Sequence, residues 1–218
     1  MKTDFRVTLP TGRLNIKFLI PLARQDRLGG RCCLRVCAIF IRTPATRHHG
    51  IRLAHEIHPG TAAMCAEEFG RLVEICDGDK SLGVNADPSH CWEGEDWETR
   101  FTHPAVRDRV YACHVKNFVV RPGVPLRRMD GNWHNRAMQF TDLGSGDLNM
   151  VRYVEMLINI GYPARYNKIM GTETAPLIAE TESAYRDADA TAIEGIQYVR
   201  DHLCFPVAEG SFEDDMGA

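Results

Sequence analysis

The stretch LGVNADPSH, residues 82–90, is the part of the chain that decides the fold. Leu82–Ala86 is typical of a strand, and the Asp87-Pro88 step that follows predicts a turn. Asp87 and His90 therefore stand just beyond the carboxyl end of a strand. In parallel α/β proteins, this edge of the sheet is where catalytic and binding side chains are placed.

Strands and helices alternate on both sides of this stretch. Further strands are predicted over residues 51–57, 109–118 and 175–182. Helices are predicted from Thr61 to about Cys76, from a cap at Asp147, and from Thr191 to about Leu203. Residues 119–146 contain Gly and Arg and predict a long loop. Because strands and helices alternate along the chain, the pattern predicts parallel β/α architecture.

Ligand-type side chains recur at the carboxyl ends of these strands. They are Glu56, Asp87, His114 and Glu180. Carboxyl ends of parallel strands share one edge, so we expect these side chains to converge, and three carboxylates that close repel each other unless a cation lies between them. Mixed oxygen and nitrogen ligands suit Mn²⁺, Mg²⁺, Co²⁺ or Zn²⁺. Glu182 competes for the last position, but Glu180 is preferred because it directly follows an apolar run.

Several motifs together resemble one family. They are HEIHP (55–59), NADPSH (85–90), HVKN (114–117), GSGDLNMVRYVEMLINIGYP (144–163) and PLIAETESAYRD (176–187). The chain resembles the xylose-isomerase-like TIM-barrel superfamily over about residues 50–205, and within it the sugar phosphate isomerase/epimerase group. D-P-S-H is the most specific of these motifs. The family often has Asp after H-V-K, where this chain has Asn117.

The resemblance implies a role for each matching position. Glu56 and Glu180 correspond to the metal-bound glutamates that flank the sugar carbon, one removing a proton and the other returning it. Asp87 and His114 would complete the ligand set of one divalent metal ion. His90 would hydrogen-bond a substrate oxygen, and Lys116 would be a second substrate contact. The implied reaction is proton abstraction through a metal-stabilised enediolate.

Length and charge suggest that only part of a barrel is present. A complete (β/α)8 barrel usually needs about 250 residues, and this chain has 218. Residues 1–50 hold ten Lys or Arg and two Asp or Glu, whereas the remainder holds 16 basic and 27 acidic residues. We predict an atypical basic segment (1–49), the C-terminal half of a TIM barrel with about four β/α units (50–205), and a flexible acidic tail (206–218).

The same observations lead to expectations about partners and location. Half a barrel leaves open sheet edges, which a homodimer would cover. The net charge of −3 gives no reason to expect a nucleic-acid partner. No stretch is as long and apolar as a membrane span. Eight cysteines without a C-x-x-C pair favour a reducing, cytoplasmic setting. The expected partner is a small sugar or polyol substrate.

Three alternatives to an isomerase or epimerase stay open. An inosose-dehydratase-type lyase would use the same scaffold and the same ligand set. A DNA-repair endonuclease would need a multi-zinc cluster with further ligands, and the acidic composition of residues after 50 opposes phosphate binding. The last alternative is a catalytically inactive, truncated or frame-altered family member.

Overall fold

A parallel sheet organises the part of the chain that the computed structural model describes, namely residues 15–18, 51–59, 61–91, 95–124, 137–183 and 186–204. Five strands pair side by side, and their order across the sheet is β1 (Asn15–Phe18), β2 (Arg52–Glu56), β3 (Leu82–Ala86), β4 (Val110–Val115) and β7 (Ile178–Ala179). All four pairings are parallel. The predicted partial (β/α) barrel is therefore confirmed.

Helices alternate with these strands along the chain, and one more helix follows the last strand. They are α1 (Ala66–Ile75), α2 (Trp97–Thr102), α3 (Met150–Asn159), α4 (Tyr162–Met170) and α5 (Ala188–Tyr198). A π-helical turn, Val199–Leu203, extends α5. Single 3₁₀ turns lie at Pro88–His90, Arg107–Arg109 and Leu143–Ser145. Buried apolar residues of the helices and strands form one core cluster, and the polar candidate ligands stand at the strand ends.

Several predicted boundaries are wrong by a few residues. The first helix begins at Ala66 rather than Thr61. The backbone N–H of Thr61 donates to the carbonyl of His58 and closes a turn, and the Thr61 hydroxyl lies within 2.9 Å of the carbonyls of His58 and Ala63. Asn149, and not Asp147, caps α3 by accepting a hydrogen bond from the backbone N–H of Arg152. The last strand is limited to two residues within the predicted 175–182.

The predicted loop over 119–146 is wrong in one important respect. Strands β5 (Asn117–Val120) and β6 (Met138–Thr141) pair in antiparallel fashion and form a hairpin at its two ends. Phe118, Met138 and Phe140 form a small apolar cluster of their own. The carboxylate of Asp147, predicted as a helix cap, instead accepts a hydrogen bond from the backbone N–H of Val120 at 2.7 Å. The hairpin lies beside the turn that follows β3.

Asn117 joins the hairpin to the connection that leads to α3. Its side-chain amide donates to the carbonyls of Leu143 (2.8 Å) and Leu148 (3.2 Å). Its side-chain oxygen accepts from the backbone N–H groups of Phe118 (2.9 Å) and Leu148 (3.0 Å). Every hydrogen-bonding group of this buried side chain is therefore used, which identifies Asn117 as a structural residue.

The basic segment contributes one strand to the sheet. Asn15–Phe18 pairs with β2 in register from Asn15 opposite Arg52 to Phe18 opposite His55. The rest of 1–49 and the predicted tail, 206–218, lie outside the described residues, so their boundaries stay predictions. Within the described ranges, no helix has the length and apolar character needed to cross a membrane.

Candidate metal centre

Four side chains meet at the carboxyl edge of the parallel sheet. Glu56 is the last residue of β2, Asp87 and Glu180 directly follow β3 and β7, and His114 is the penultimate residue of β4. One ligand-type atom from each lies within 4.8 Å of the other three. The strands bring together, in this way, residues that are up to 124 positions apart in the sequence. Their assignment as metal ligands stays a prediction.

Asp87 is held so that one carboxylate oxygen faces the others. Its Oδ1 accepts hydrogen bonds from the backbone N–H (2.9 Å) and the hydroxyl (2.7 Å) of Ser89. Its Oδ2 is buried and accepts no hydrogen bond from the described residues. Instead, Oδ2 lies 3.4 Å from His90 Nε2 and 3.5 Å from His114 Nδ1. The D-P-S-H turn thus fixes the carboxylate while leaving one oxygen for a ligand.

Electrostatics in the cluster favour the ionised form of Asp87. Burial alone would raise the pKa of Asp87, but the neighbouring imidazoles of His114 and His90 hold it well below its usual range. Burial would likewise lower the pKa of His90, yet the carboxylates of Asp87 and Glu56 raise it. An ionised carboxylate is therefore held at a buried point, which favours a cation beside it.

Glu180 follows β7, which pairs with β4 at the end of the described strand order. One of its carboxylate oxygens contacts the Nδ1 of His114. The other lies 3.4 Å from the ammonium of Lys116, which also forms a 2.8 Å ion pair with Glu182. Burial would lower the pKa of Lys116, but the surrounding carboxylates raise it, so the side chain is a cation.

The hairpin places an aromatic ring, Phe140, beside the site, which the sequence did not indicate. The Lys116 Nζ lies 4.0 Å from the centre of the Phe140 ring, and the ring of His90 meets Phe140 edge-on with centroids 5.9 Å apart. The ring of His58 also packs against His90, with centroids 4.0 Å apart. Phe140 lies in a hairpin that the sequence pattern did not predict, whereas His58 follows β2 in the turn that leads to α1.

The donor set fits one divalent cation. Ligand atoms at about 2.1 Å from an ion are at most about 4.2 Å apart, so the 4.8 Å cluster needs only a small contraction. The buried Asp87 Oδ2, which has no hydrogen-bond donor among the described residues, is the kind of oxygen that an ion would bind. Three carboxylates and one imidazole match a hard or borderline ion rather than a soft one.

Comparison with protein families identifies the chain's class. The model of the family described as xylose isomerase-like TIM barrel matches residues 38–202. Because this match covers most of the chain, the chain belongs to the xylose isomerase-like TIM barrel family. The match also begins before residue 50, inside the segment predicted to be atypical. A search of curated proteins found no match.

Solved structures share the fold at low sequence identity. The probable 3-DHS dehydratase AsbF from Bacillus anthracis, involved in petrobactin synthesis, has 16% identity and a TM-score of 0.59, covering 86% of this chain and 64% of AsbF. The IOLI protein with a binding zinc atom has 12% identity and a TM-score of 0.56, covering 87% and 62%. A D-tagatose 3-epimerase-like protein has 14% identity and a TM-score of 0.54, covering 88% and 61%.

The chain spans 61% to 64% of the length of these three structures. Their names include an epimerase-like protein, a dehydratase and a zinc-binding protein, so the scaffold supports more than one reaction. The predicted family and fold are confirmed, whereas the roles of the individual site residues, the homodimer and the cytoplasmic setting stay predictions.

Proposed function

We propose that the chain is a metal-dependent sugar isomerase or epimerase that acts by abstracting a proton from the carbon beside a carbonyl. The observation that carries the proposal is the convergence of Glu56, Asp87, His114 and Glu180 within 4.8 Å at the carboxyl edge of the sheet. Membership in the family and the epimerase-like structural relative support it. The substrate class is a small ketose or a related polyol.

A divalent cation held by these four residues would chelate adjacent substrate oxygens and stabilise the negative charge that develops during enolisation. The structure is compatible with Mn²⁺, Mg²⁺, Co²⁺ or Zn²⁺, and the IOLI relative contains zinc. The protein's part is to keep three carboxyl groups and one imidazole directed at one point. Glu56 and Asp87 are almost fully buried, so little reorganisation is needed when the ion binds.

Glu56 and Glu180 are the proposed acid–base pair. They come from β2 and β7, which flank β3 and β4 in the sheet. One carboxylate accepts the proton from the substrate carbon, the C–H electron pair forms a C=C bond, and the carbonyl π electrons move onto oxygen to give the enediolate. The other carboxyl group, protonated, returns a proton to the opposite face of that carbon or to its neighbour. One group gains a proton as the other loses one, so the pair is restored by exchange with solvent.

His90 is the proposed contact to a substrate oxygen. Its Nε2 is 3.4 Å from Asp87 Oδ2 and 3.6 Å from Glu56 Oε1, so the ring borders the cluster directly. The neighbouring carboxylates raise the pKa of the imidazole despite its burial. An imidazole N–H donates a hydrogen bond, which suits the oxygen that gains negative charge in the enediolate.

Solvent isotope exchange tests the proposal. The purified chain, loaded with Mn²⁺, is incubated with a panel of ketoses in D₂O, and deuterium at the carbons next to the carbonyl is measured by NMR. We expect incorporation that is lost in Glu56→Gln and retained in Glu67→Gln, since Glu67 lies in an exposed ion pair with Arg71. Absence of deuterium incorporation across the panel would contradict the proposal.

Product analysis in the same samples separates the main alternative. A dehydratase of the type suggested by AsbF would also begin with proton abstraction, but it would then expel a hydroxyl group as water. An unsaturated product of mass lower by one water would assign lyase chemistry. An epimeric or isomeric sugar of unchanged mass would assign the isomerase or epimerase.

A further inference from the structure

Lys116 lies between the metal-ligand cluster and the solvent side of the site. Its side chain is only 2% exposed, and its ammonium joins Glu180 Oε1 at 3.4 Å to Glu182 Oε2 at 2.8 Å. The face of Phe140 lies 4.0 Å from the same nitrogen. The lysine therefore connects β4, the segment after β7, and the hairpin at a single charged atom.

Glu180 is the candidate ligand with the least support from its own strand. Strand β7 has two residues and pairs only with β4 among the described strands. The side chain of Glu180 is 27% exposed, compared with 2% for Glu56 and 0% for Asp87. One backbone hydrogen bond, from the N–H of Glu180 to the carbonyl of Val115 at 3.1 Å, continues the pairing. Additional contacts are needed to fix the carboxylate.

We propose that the Lys116–Glu182 ion pair is a clamp that holds Glu180 in the position needed for metal binding. This inference rests on the proposed function, in which Glu180 is a metal ligand. Lys116 and Glu182 are positioning residues, because they act through Glu180 rather than on the substrate. Glu182 is half exposed and lies two residues after Glu180. Its ion pair with Lys116 therefore holds the ammonium next to the segment that carries Glu180.

The arrangement favours a clamp over the substrate contact predicted for Lys116. An ammonium has three N–H donors, and two of them face carboxylates in the structure. The aromatic face takes up a further side of the cation. A lysine in this position also offsets part of the negative charge of Asp87, Glu180 and Glu182, which raise its pKa. Little of the ammonium is left to bind a sugar hydroxyl.

Glu182→Gln is the variant that tests the clamp. Its side chain is half exposed, so the substitution preserves size and is compatible with folding. Mn²⁺ affinity is measured by calorimetry without sugar, and amide hydrogen exchange of residues 177–183 is measured in the metal-free protein. We expect roughly tenfold weaker Mn²⁺ binding, as is typical when a partner of a metal ligand is removed. We also expect roughly tenfold faster exchange in that segment.

Glu67→Gln is the matched control, because Glu67 also forms an ion pair but on α1, away from the site. Its Mn²⁺ affinity and exchange should equal those of the original chain. The double variant Lys116→Gln/Glu182→Gln should bind Mn²⁺ no more weakly than Lys116→Gln alone, since the clamp is already broken. Additive losses in the double variant would contradict the clamp.

Two results would overturn the inference. The first is that the Glu182→Gln and Glu67→Gln variants have the same Mn²⁺ affinity and the same hydrogen exchange, which would show that no clamp exists. Unchanged Mn²⁺ affinity together with a raised KM for the sugar would make the pair a substrate contact instead. The exchange measurement needs neither metal nor sugar, so the clamp can hold even if the isotope-exchange experiment rejects the proposed reaction.

Discussion

The two sides of the candidate metal centre differ in how firmly the backbone and its neighbours fix the ligand side chain. On the β2–β3 side, Asp87 follows a strand that has hydrogen-bonded neighbours on both edges, and its carboxylate is fixed by Ser89. On the β7 side, Glu180 follows a two-residue strand at the edge of the described sheet and depends on side-chain contacts. The site therefore combines one half fixed by central strands with one half fixed mainly by side-chain contacts.

The difference implies an unequal distribution of stability within the site. Central strands exchange their amide protons only through large-scale unfolding, whereas short edge strands open locally at low free energy. Strand β3 is buried at every position, but Ile178 in β7 is 43% exposed. Substitutions on the two sides should consequently differ in how far they lower metal affinity.

The largest effect is expected for Asp87→Asn. The change removes a buried negative charge and replaces the ligand oxygen Oδ2, so Mn²⁺ affinity should fall by more than the roughly 100-fold upper range seen for outer partners of metal ligands. Calorimetric titration measures the change. The control is Asp96→Asn, since Asp96 caps α2 through the backbone N–H of Thr99 and lies outside the cluster. Equal Mn²⁺ affinities for the original chain and the Asp87→Asn variant would show that Asp87 is not a metal ligand.

A smaller effect is expected for Glu180→Gln. The amide keeps a ligand oxygen, and the edge segment can shift to accommodate it, so Mn²⁺ affinity should fall roughly 10- to 100-fold. The titration used for Asp87 measures this change as well. A loss for Glu180→Gln that exceeds the loss for Asp87→Asn would reverse the comparison between the two sides of the site.

Asn117→Asp should lower stability rather than metal affinity. The new carboxylate cannot donate to the carbonyls of Leu143 and Leu148, and it would leave both without their donor. We expect the free energy of unfolding to fall by about 1–3 kcal/mol, measured by denaturant titration. Asn149→Asp is the control, because either side chain can accept the capping hydrogen bond from Arg152. Equal losses in the two variants would argue against the donor role of Asn117.

The smallest effect concerns the rate at which cysteine thiols react, which should be lower for buried cysteines than for exposed ones. Burial raises the pKa of Cys113, in β4, and of Cys91, after the D-P-S-H turn, to about 12. The reactive thiolate is therefore scarce at pH 8, whereas Cys204 is exposed. Peptide mass spectrometry after brief iodoacetamide treatment should show Cys204 modified before Cys91 and Cys113. Modification of Cys113 at the same rate as Cys204 would show that β4 opens readily.

The sequence predicted the central strands of the sheet better than the hairpin and the last strand. Leu82–Ala86 was predicted at its observed bounds, because a buried strand followed by Asp-Pro combines two strong local signals. The hairpin was missed, since its strands have four residues each and depend on pairing with each other. Glu56, Asp87, His114 and Glu180 were found through their places at strand ends. The positions of Phe140 and Glu182 around Lys116 follow only from tertiary packing.

The central claim is that one divalent cation binds among Glu56, Asp87, His114 and Glu180. Anomalous diffraction from crystals soaked in Mn²⁺ tests it most directly, because the metal's own signal locates the ion. We predict one strong peak per chain at about 2.0–2.3 Å from an atom of each of the four side chains. A Mn²⁺ peak elsewhere, or no peak at this cluster under saturating Mn²⁺, would contradict the claim.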